Sequence, residues 1–197
     1  MYIFFDAETT GLPKYSKAPV TDLRSWPRAV QIAWARYDAR DRHLITKSFI
    51  VKPEGFSIPR EAERIHGIST AKALAHGKPL NTVLNALAAD FEEAKVVVAH
   101  NLGFDENVIG AEFLRQGLEI PFLDKKRICT MIESTDYCRL PGRYGSYKWP
   151  TLPELHAALF GEDFQGSHDA EADVTACAKC FFELKRLRVL QVRSRCA

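Results

Sequence analysis

Apolar residues run without interruption from Tyr2 to Phe5 and stop at Asp6. A short apolar run that ends at polar residues predicts a buried central strand over residues 2–6. Residues 11–27 carry Pro13, Pro19 and Pro27 among polar neighbours and read as a loop. In residues 29–37, Val30, Ile32 and Trp34 alternate with Gln31 and Ala33, which predicts a second strand. A turn at 38–41 and a third strand over 44–51 complete an antiparallel meander.

The period then lengthens. A short helix is predicted over 59–65, with Pro59 at its start. Leu80, Val83, Leu84, Leu87 and Phe91 recur at helical spacing and predict a helix over 80–93. Val96-Val97-Val98 marks a buried strand within 95–99. A helix over 103–116 closes at Gly117. Residues 120–127 hold one short strand and 129–136 a helical stretch. Helices follow over 152–160 and, long and amphipathic, over 168–187. This order predicts an α/β fold with a mixed sheet.

Composition narrows the class. The 197 residues suit one domain, expected over 1–187, with a short basic tail at 188–197. With 46% hydrophobic and 26% charged residues, the chain is neither a disordered tail nor a rod. No apolar run approaches the roughly 18 residues of a membrane span. The first apolar run meets an acid at once, unlike a signal peptide. The odd number of cysteines, 5, without such a leader reads as a reduced cytoplasmic protein. Cys177 and Cys180 form one Cys-x-x-Cys on a helix with no second pair at zinc spacing, so they read as buried thiols. The net charge of +2 neither reveals nor excludes a nucleic-acid partner, because local patches decide that.

Three constellations carry candidate chemistry. Asp6 and Glu8 lie two apart at the end of the first strand and point to one face. Two carboxylates that close repel unless a cation lies between them. Asp105 sits in the first turn of the helix that follows the Val96-Val97-Val98 strand. Active-site residues of α/β sheets gather beyond such carboxyl ends. Asp173 falls on or beside the apolar stripe of Ala170, Val174, Cys177, Phe181 and Leu184, where an unpaired acid is costly. Asp169 and Glu171 read as exposed first-turn acids. His168, at the entrance of that helix, reads by itself as an ordinary surface histidine, and beside a metal site as a general base.

Together, Phe5-Asp6-Ala7-Glu8-Thr9-Thr10-Gly11-Leu12, His100-Asn101-Leu102-Gly103-Phe104-Asp105 and His168-Asp169-Ala170-Glu171-Ala172-Asp173 resemble the three exonuclease motifs of the DEDDh (DnaQ-like) 3′–5′ exonuclease family. That family includes the proofreading subunit of bacterial DNA polymerase III, ribonuclease T and oligoribonuclease. Ile65-His66-Gly67-Ile68 resembles a substrate-pocket segment of the proofreading group. Where many relatives have Asp-Thr, this chain has Cys129-Thr130. The resemblance implies a ribonuclease H-like mixed five-stranded sheet flanked by helices. It implies a phosphodiester hydrolase using two divalent cations, Mg²⁺ or Mn²⁺, held by Asp6, Glu8, Asp105 and Asp173, with His168 as base. It places Thr9 and Leu12 against the 3′ end and Gly11 where the backbone approaches closely. His66, Asn101 and Phe104 would complete a nucleotide pocket.

The implied partner is the 3′ end of a nucleic acid, single-stranded or frayed DNA first, with polymerase association and oligomeric state left open. RNA 3′-end trimming and a non-catalytic nucleic-acid-binding relative are the alternatives. Lys125, Lys126, Arg127, Arg139, Arg143 and Lys148, interleaved with Tyr137, Tyr144, Tyr147 and Trp149, form a pattern suited to a single strand. Lys185, Arg186, Arg188, Arg193 and Arg195 make the chain end basic.

Overall fold

The computed structural model describes residues 1–190. Its strands are β1 (Tyr2–Thr9), β2 (Ala29–Tyr37), β3 (His43–Ile50), β4 (Val96–Ala99) and β5 (Lys126–Cys129). The helices are α1 (Arg60–His66), α2 (Thr70–His76), α3 (Leu80–Glu92), α4 (Leu102–Arg115), α5 (Thr130–Glu133), α6 (Thr135–Cys138), α7 (Leu152–Phe160) and α8 (Ala170–Arg186). The strands form one five-stranded sheet in the order β3-β2-β1-β4-β5. The β1–β2 and β2–β3 pairs are antiparallel, and β1–β4 and β4–β5 are parallel. This is the mixed sheet expected from the chain's order of elements.

Both faces of the sheet are covered. Ile3, Phe5, Ile32 and Trp34 pack with Leu84, Leu87 and Phe91 of α3 and Ile109 of α4. Tyr2, Phe4, Ala33 and Ala35 face Val174, Cys177, Phe181 and Leu184 of α8. The Phe4 and Phe181 rings meet edge to face at 5.2 Å between centroids. A third, smaller cluster joins Val30 to Ile58, Ala62, Ile68 and Ala73 around α1 and α2.

Several elements differ from the sequence reading, among them the last strand, expected within 120–127 and found at Lys126–Cys129. β1 continues through Glu8 and Thr9, because β2 pairs with it as far as Thr9↔Ala29. The long final helix begins at Ala170, two residues after His168, which adopts a left-handed backbone. The short helix α2 has no counterpart in the sequence pattern, and the single helical stretch at 129–136 is divided into α5 and α6. Cys177 and Cys180 are buried thiols, as expected. Arg193 and Arg195 of the basic tail lie outside the described residues. No described helix is long and apolar enough to cross a membrane.

Candidate active site

The site begins where β4 stops and β1 does not. The last β1–β4 rung is Phe4↔Val98, so Asp6 and Glu8 project past the end of β4. There the Ala7 amide donates to Asp105 Oδ1 at 3.1 Å, which ties the start of α4 to β1. Asp105 is almost wholly buried. Asp6 and Glu8 share the face of β1 that also carries Tyr2 and Phe4, and α8 covers that face. The register of Val174, Cys177 and Phe181 on the sheet turns Asp173 toward the two acids of β1.

The turn before α8 is folded around Asp173. Its Oδ2 accepts the His168 amide at 3.0 Å, while its Oδ1 is buried with no partner. One ligand atom each from Glu8, His168 and Asp173 lie within 4.8 Å of one another. Asp6 and Asp105 stand outside that tight triad but within its electrostatic reach. Burial raises the Asp6 carboxyl well above its usual range, and Asp105, Asp173 and Glu8 push it further. Burial lifts Glu8 to about 7, with Asp173 and Asp169 adding repulsion. Burial also raises Asp105, against the pull of the Ala7 amide. Asp173 rises to about 6 through burial, although the His168 amide and imidazole oppose this.

Buried acids that raise one another's pKa, one with an unpartnered oxygen, are costly as they stand. Cations relieve every one of these costs at once. The donor set is mostly carboxylate oxygen, which suits hard divalent ions. The residues therefore fit the metal expected from the motifs.

Every residue singled out for the site except Asp105 lines one cleft of about 540 Å³. Asp105 stands directly behind it. The Thr9 hydroxyl donates to the Gly11 carbonyl at 2.7 Å and accepts the Gly11 amide at 3.3 Å, folding the loop after β1. Gly11 has φ +145°, a conformation that only glycine adopts readily. Leu12 is 84% exposed at the cleft rim, so it is not a core residue. Phe104 both lines the cleft and packs against the α3 cluster. His66 accepts the Ile68 amide at Nδ1, which leaves the proton on Nε2, on the side of the Thr9 backbone. Asn101, like His168, has a positive φ, placing two strained residues at the cleft.

Glu61 and Ile65 of α1 also line the cleft, and the sequence reading gives neither a role as a single residue. Gln31 escapes that reading as well. Its amide holds the first residues of α8, and the available signal is a polar side chain in a strand otherwise buried on both faces. Asp169 is exposed as expected, but it also caps α8 by accepting the Glu171 and Ala172 amides. A larger hollow, about 790 Å³, lies between His156 and Lys179 and includes none of the four site carboxylates.

Several known proteins resemble this chain. It is 31% identical over 176 residues to the uncharacterized exonuclease CP81 of Escherichia phage 186, covering 87% of this chain and 81% of that protein. It is 30% identical over 193 residues to human three-prime repair exonuclease 1, covering 88% of this chain and 60% of that one. Escherichia coli exonuclease I, solved with a dT13 oligonucleotide, shares the fold at a TM-score of 0.73 and 22% identity, over 95% of this chain and 42% of that one. The same enzyme has been solved in a zinc-bound form with single-stranded DNA, at a TM-score of 0.75 and 23% identity over 95% of this chain and 41% of that one. The chain thus spans 60% of the human relative and less than half of the bacterial one. The family described as RNase_T exonuclease matches residues 3–181, and the chain belongs to this DEDDh-type family of nucleic-acid-hydrolysing exonucleases.

Proposed function

We propose that the chain removes nucleotides one at a time from 3′ ends, releasing nucleoside 5′-monophosphates, with single-stranded or frayed DNA as its substrate in proofreading or repair. The observation that carries this reading is the convergence of Asp6, Glu8, Asp105, Asp173 and His168 at the end of β1, with the acids raised by burial and by one another. The name of the human relative, a three-prime repair exonuclease, supports the 3′ polarity. The oligonucleotide bound to exonuclease I supports single-stranded DNA. Residues 1–187 act as one catalytic domain in this reading.

Asp6, Glu8, Asp105 and Asp173 would hold two divalent cations, Mg²⁺ or Mn²⁺. When bound, the cations stabilise the charge that develops on the phosphodiester oxygens. The chain's own groups do the rest. The amides of Ala7 and His168 fix one oxygen each of Asp105 and Asp173, leaving the other oxygen of each for a ligand. His168 takes the proton of the attacking water. Leu12 wedges against the terminal base, and the folded Thr9–Gly11 loop presents backbone to the 3′ end. Phe104 offers a ring face, and His66 an imidazole edge, to the terminal nucleotide; Asn101 lines the same pocket.

The strand upstream has a candidate track. A Pro141↔Tyr147 bridge closes a hairpin whose tip residue, Tyr144, is fully exposed. Arg139 and Arg143 are exposed and in no ion pair among the described residues, whereas Arg127 is paired with Glu106 and Lys148 with Glu154. His100 anchors the hairpin base, with its Nε2 3.0 Å from the Pro150 carbonyl. Basic and aromatic side chains together suit a single strand.

One gel tests the reading: 5′-labelled single-stranded, paired and 3′-mismatched DNA and RNA, each with Mg²⁺. A ladder shortening from the 3′ end, fastest on single-stranded and mismatched DNA, is the expected result. Asp6→Ala and Asp173→Ala should abolish it. Full activity in chelator would overturn the reading, and faster loss of RNA would move the substrate to RNA ends.

A further inference from the structure

Gln31 pairs with Glu8 across the β1–β2 ladder, so the two side chains leave the same rung on the same face. Glu8 points into the acid cluster. Gln31, only 5% exposed, reaches the start of α8 instead. Its Nε2 donates to Asp169 Oδ2 at 3.2 Å and to Ser48 Oγ of β3 at 3.1 Å. Its Oε1 accepts the Ala170 amide at 3.3 Å. One carboxamide thus grips two consecutive residues, and all of its strong hydrogen-bonding groups are used.

The gripped residues lie between the two site residues of this segment. His168 immediately precedes Asp169, with a left-handed backbone at φ 70°. Asp173 lies one turn beyond, and its Oδ2 holds the His168 amide. Asp169 also accepts the amides of Glu171 and Ala172. The first turn of α8 and the strained residue before it are therefore referenced to the Glu8 rung through a single side chain. With an acceptor at Asp169, the side chain at 31 must accept on one atom and donate on another. An aliphatic residue would fill the space but leave the Ala170 amide unpaired.

We propose that Gln31 is a positioning residue: it sets the placement of His168 and Asp173 relative to Glu8 by clamping Asp169 and Ala170 to β2. It touches none of the reacting groups. The inference rests on the exonuclease reading for its kinetic consequence, but the clamp itself is a property of the folded chain.

The test uses the full chain and three variants with reversed hydrogen-bond polarity: Gln31→Glu, Asp169→Asn, and both together. Gln31→Glu sets two carboxylates against each other. Asp169→Asn sets two amide donors against each other. The double variant restores the bond in the opposite sense. Its carboxamide at position 169 can donate to the carboxylate at position 31 and still cap α8 through its oxygen. That carboxylate can still accept the Ala170 amide. The exchange moves one negative charge without changing the total. Rates are measured on a 5′-labelled single-stranded oligonucleotide with saturating Mg²⁺. Each single variant should lose between about tenfold and a hundredfold in kcat with KM nearly constant, the scale of a small misplacement of reacting groups. The double variant should recover most of that loss.

Hydrogen exchange over residues 166–173 gives a second readout that needs no activity. Exchange should be faster in both single variants and return toward wild type in the double. A double variant no better than the worse single one, in rate and in exchange, would overturn the proposal, as would single variants that match wild type in both. If wild type itself lacks nuclease activity, the functional reading fails and the exchange data alone judge the clamp. If one single variant does not fold, recovery of folding in the double supports the clamp, and no recovery overturns it.

Discussion

The amide of Ala7 donates to the carboxylate of Asp105 across 98 residues of sequence, at 3.1 Å. Ala7 lies between the two acids of β1, so this bond sets the α4 acid against the β1 pair. It also lowers the cost of burying Asp105, though burial still holds that carboxyl well above its ordinary range. Asp105→Asn keeps an oxygen for the Ala7 amide and removes one charge from a repelling group. The variant should lose exonuclease activity and yet melt a few degrees higher than wild type in chelator at pH 7, since each kcal/mol is worth about 2–4 °C in a chain of this size. Thermal unfolding with and without Mg²⁺ checks this: the cation should raise the midpoint of wild type more than that of the variant.

Protonation of the cluster should oppose cation binding. Glu8 moves from its usual 4.5 up to about 7, and Asp173 from 3.8 up to about 6. In the cation-free protein the folded state holds more protons than the unfolded chain across those windows, so both acids make stability fall as pH rises through them. Each contributes on the order of 3 kcal/mol of lost stability once fully ionised. Asp6 and Asp105 act in the same direction. His100 acts in the opposite one. Burial pushes its imidazole from 6.5 down to about 4, so its contribution is present at neutral pH and is lost as pH falls through that window. His66, also lowered by burial, joins it. Divalent cations should therefore raise the unfolding midpoint little near pH 5 and strongly near pH 7.5. Titrating Mn²⁺ at both pH values by calorimetry should also show proton release on binding. A pH-independent affinity without proton release would contradict these shifts.

The site is more legible in the sequence than its supports are. Asp6, Glu8, Asp105 and Asp173 each interrupt or adjoin an apolar pattern, at a strand end, a helix start or a core-facing stripe. Of these, only Asp173 on its core-facing stripe demands a physical reason by itself; a strand end or a helix start accommodates an ordinary acid, and it is the resemblance of the three motifs that joins Asp6, Glu8 and Asp105 to it. Gln31 gives a weaker signal, because alternation in β2 assigns it to a face without saying that α8 covers that face. The extension of β1 through Glu8 and Thr9 is hidden for a related reason: polar residues look like a strand end until their partners, Gln31 and Ala29, are known. The helix α2 buries only Ala73, so its seven residues carry no apolar stripe, and Ser69, which caps it through the Lys72 amide, is its one local mark. The left-handed backbone of His168 is held by the bond of its amide to Asp173, which the residue type does not announce.

The exposed hairpin should affect long substrates and spare short ones. Tyr144 is fully exposed at the tip, and its backbone has φ 56°. No core contact accounts for the ring. Stacking of one base on an aromatic side chain is worth about 1–3 kcal/mol. The double variant Tyr144→Ala, Arg143→Ala should weaken binding of a long single strand by about tenfold or more while leaving kcat on a dinucleotide nearly unchanged. The affinity should also depend less on salt than in wild type, because one cationic contact is gone. Fluorescence anisotropy at two salt concentrations, set beside dinucleotide kinetics, checks both. Equal losses on long and short substrates would place the hairpin's influence in the cleft itself.

Leu12 offers the sharpest separation between end-fraying and hydrolysis. Its side chain is 84% exposed at the mouth of the cleft, across from α1, which contributes Glu61, Ile65 and His66 to the same lining. An apolar group left in water at that position gains by covering the face of an unpaired terminal base. On a single strand the base is already free, and the wedge contributes binding alone. On a paired end it must also help offset the lost pairing and stacking, a few kcal/mol for each base taken out of a duplex. Leu12→Ala should therefore slow hydrolysis of a fully paired 3′ end several-fold more than that of a single strand, with a 3′-mismatched end in between. The unfolding midpoint should stay within a degree or so of wild type, because the removed methyl groups pack against nothing in the core. Measuring kcat/KM on the three substrates for wild type and variant gives the ratio directly. A uniform loss across all three would mean that Leu12 contributes general binding and takes no part in opening the end.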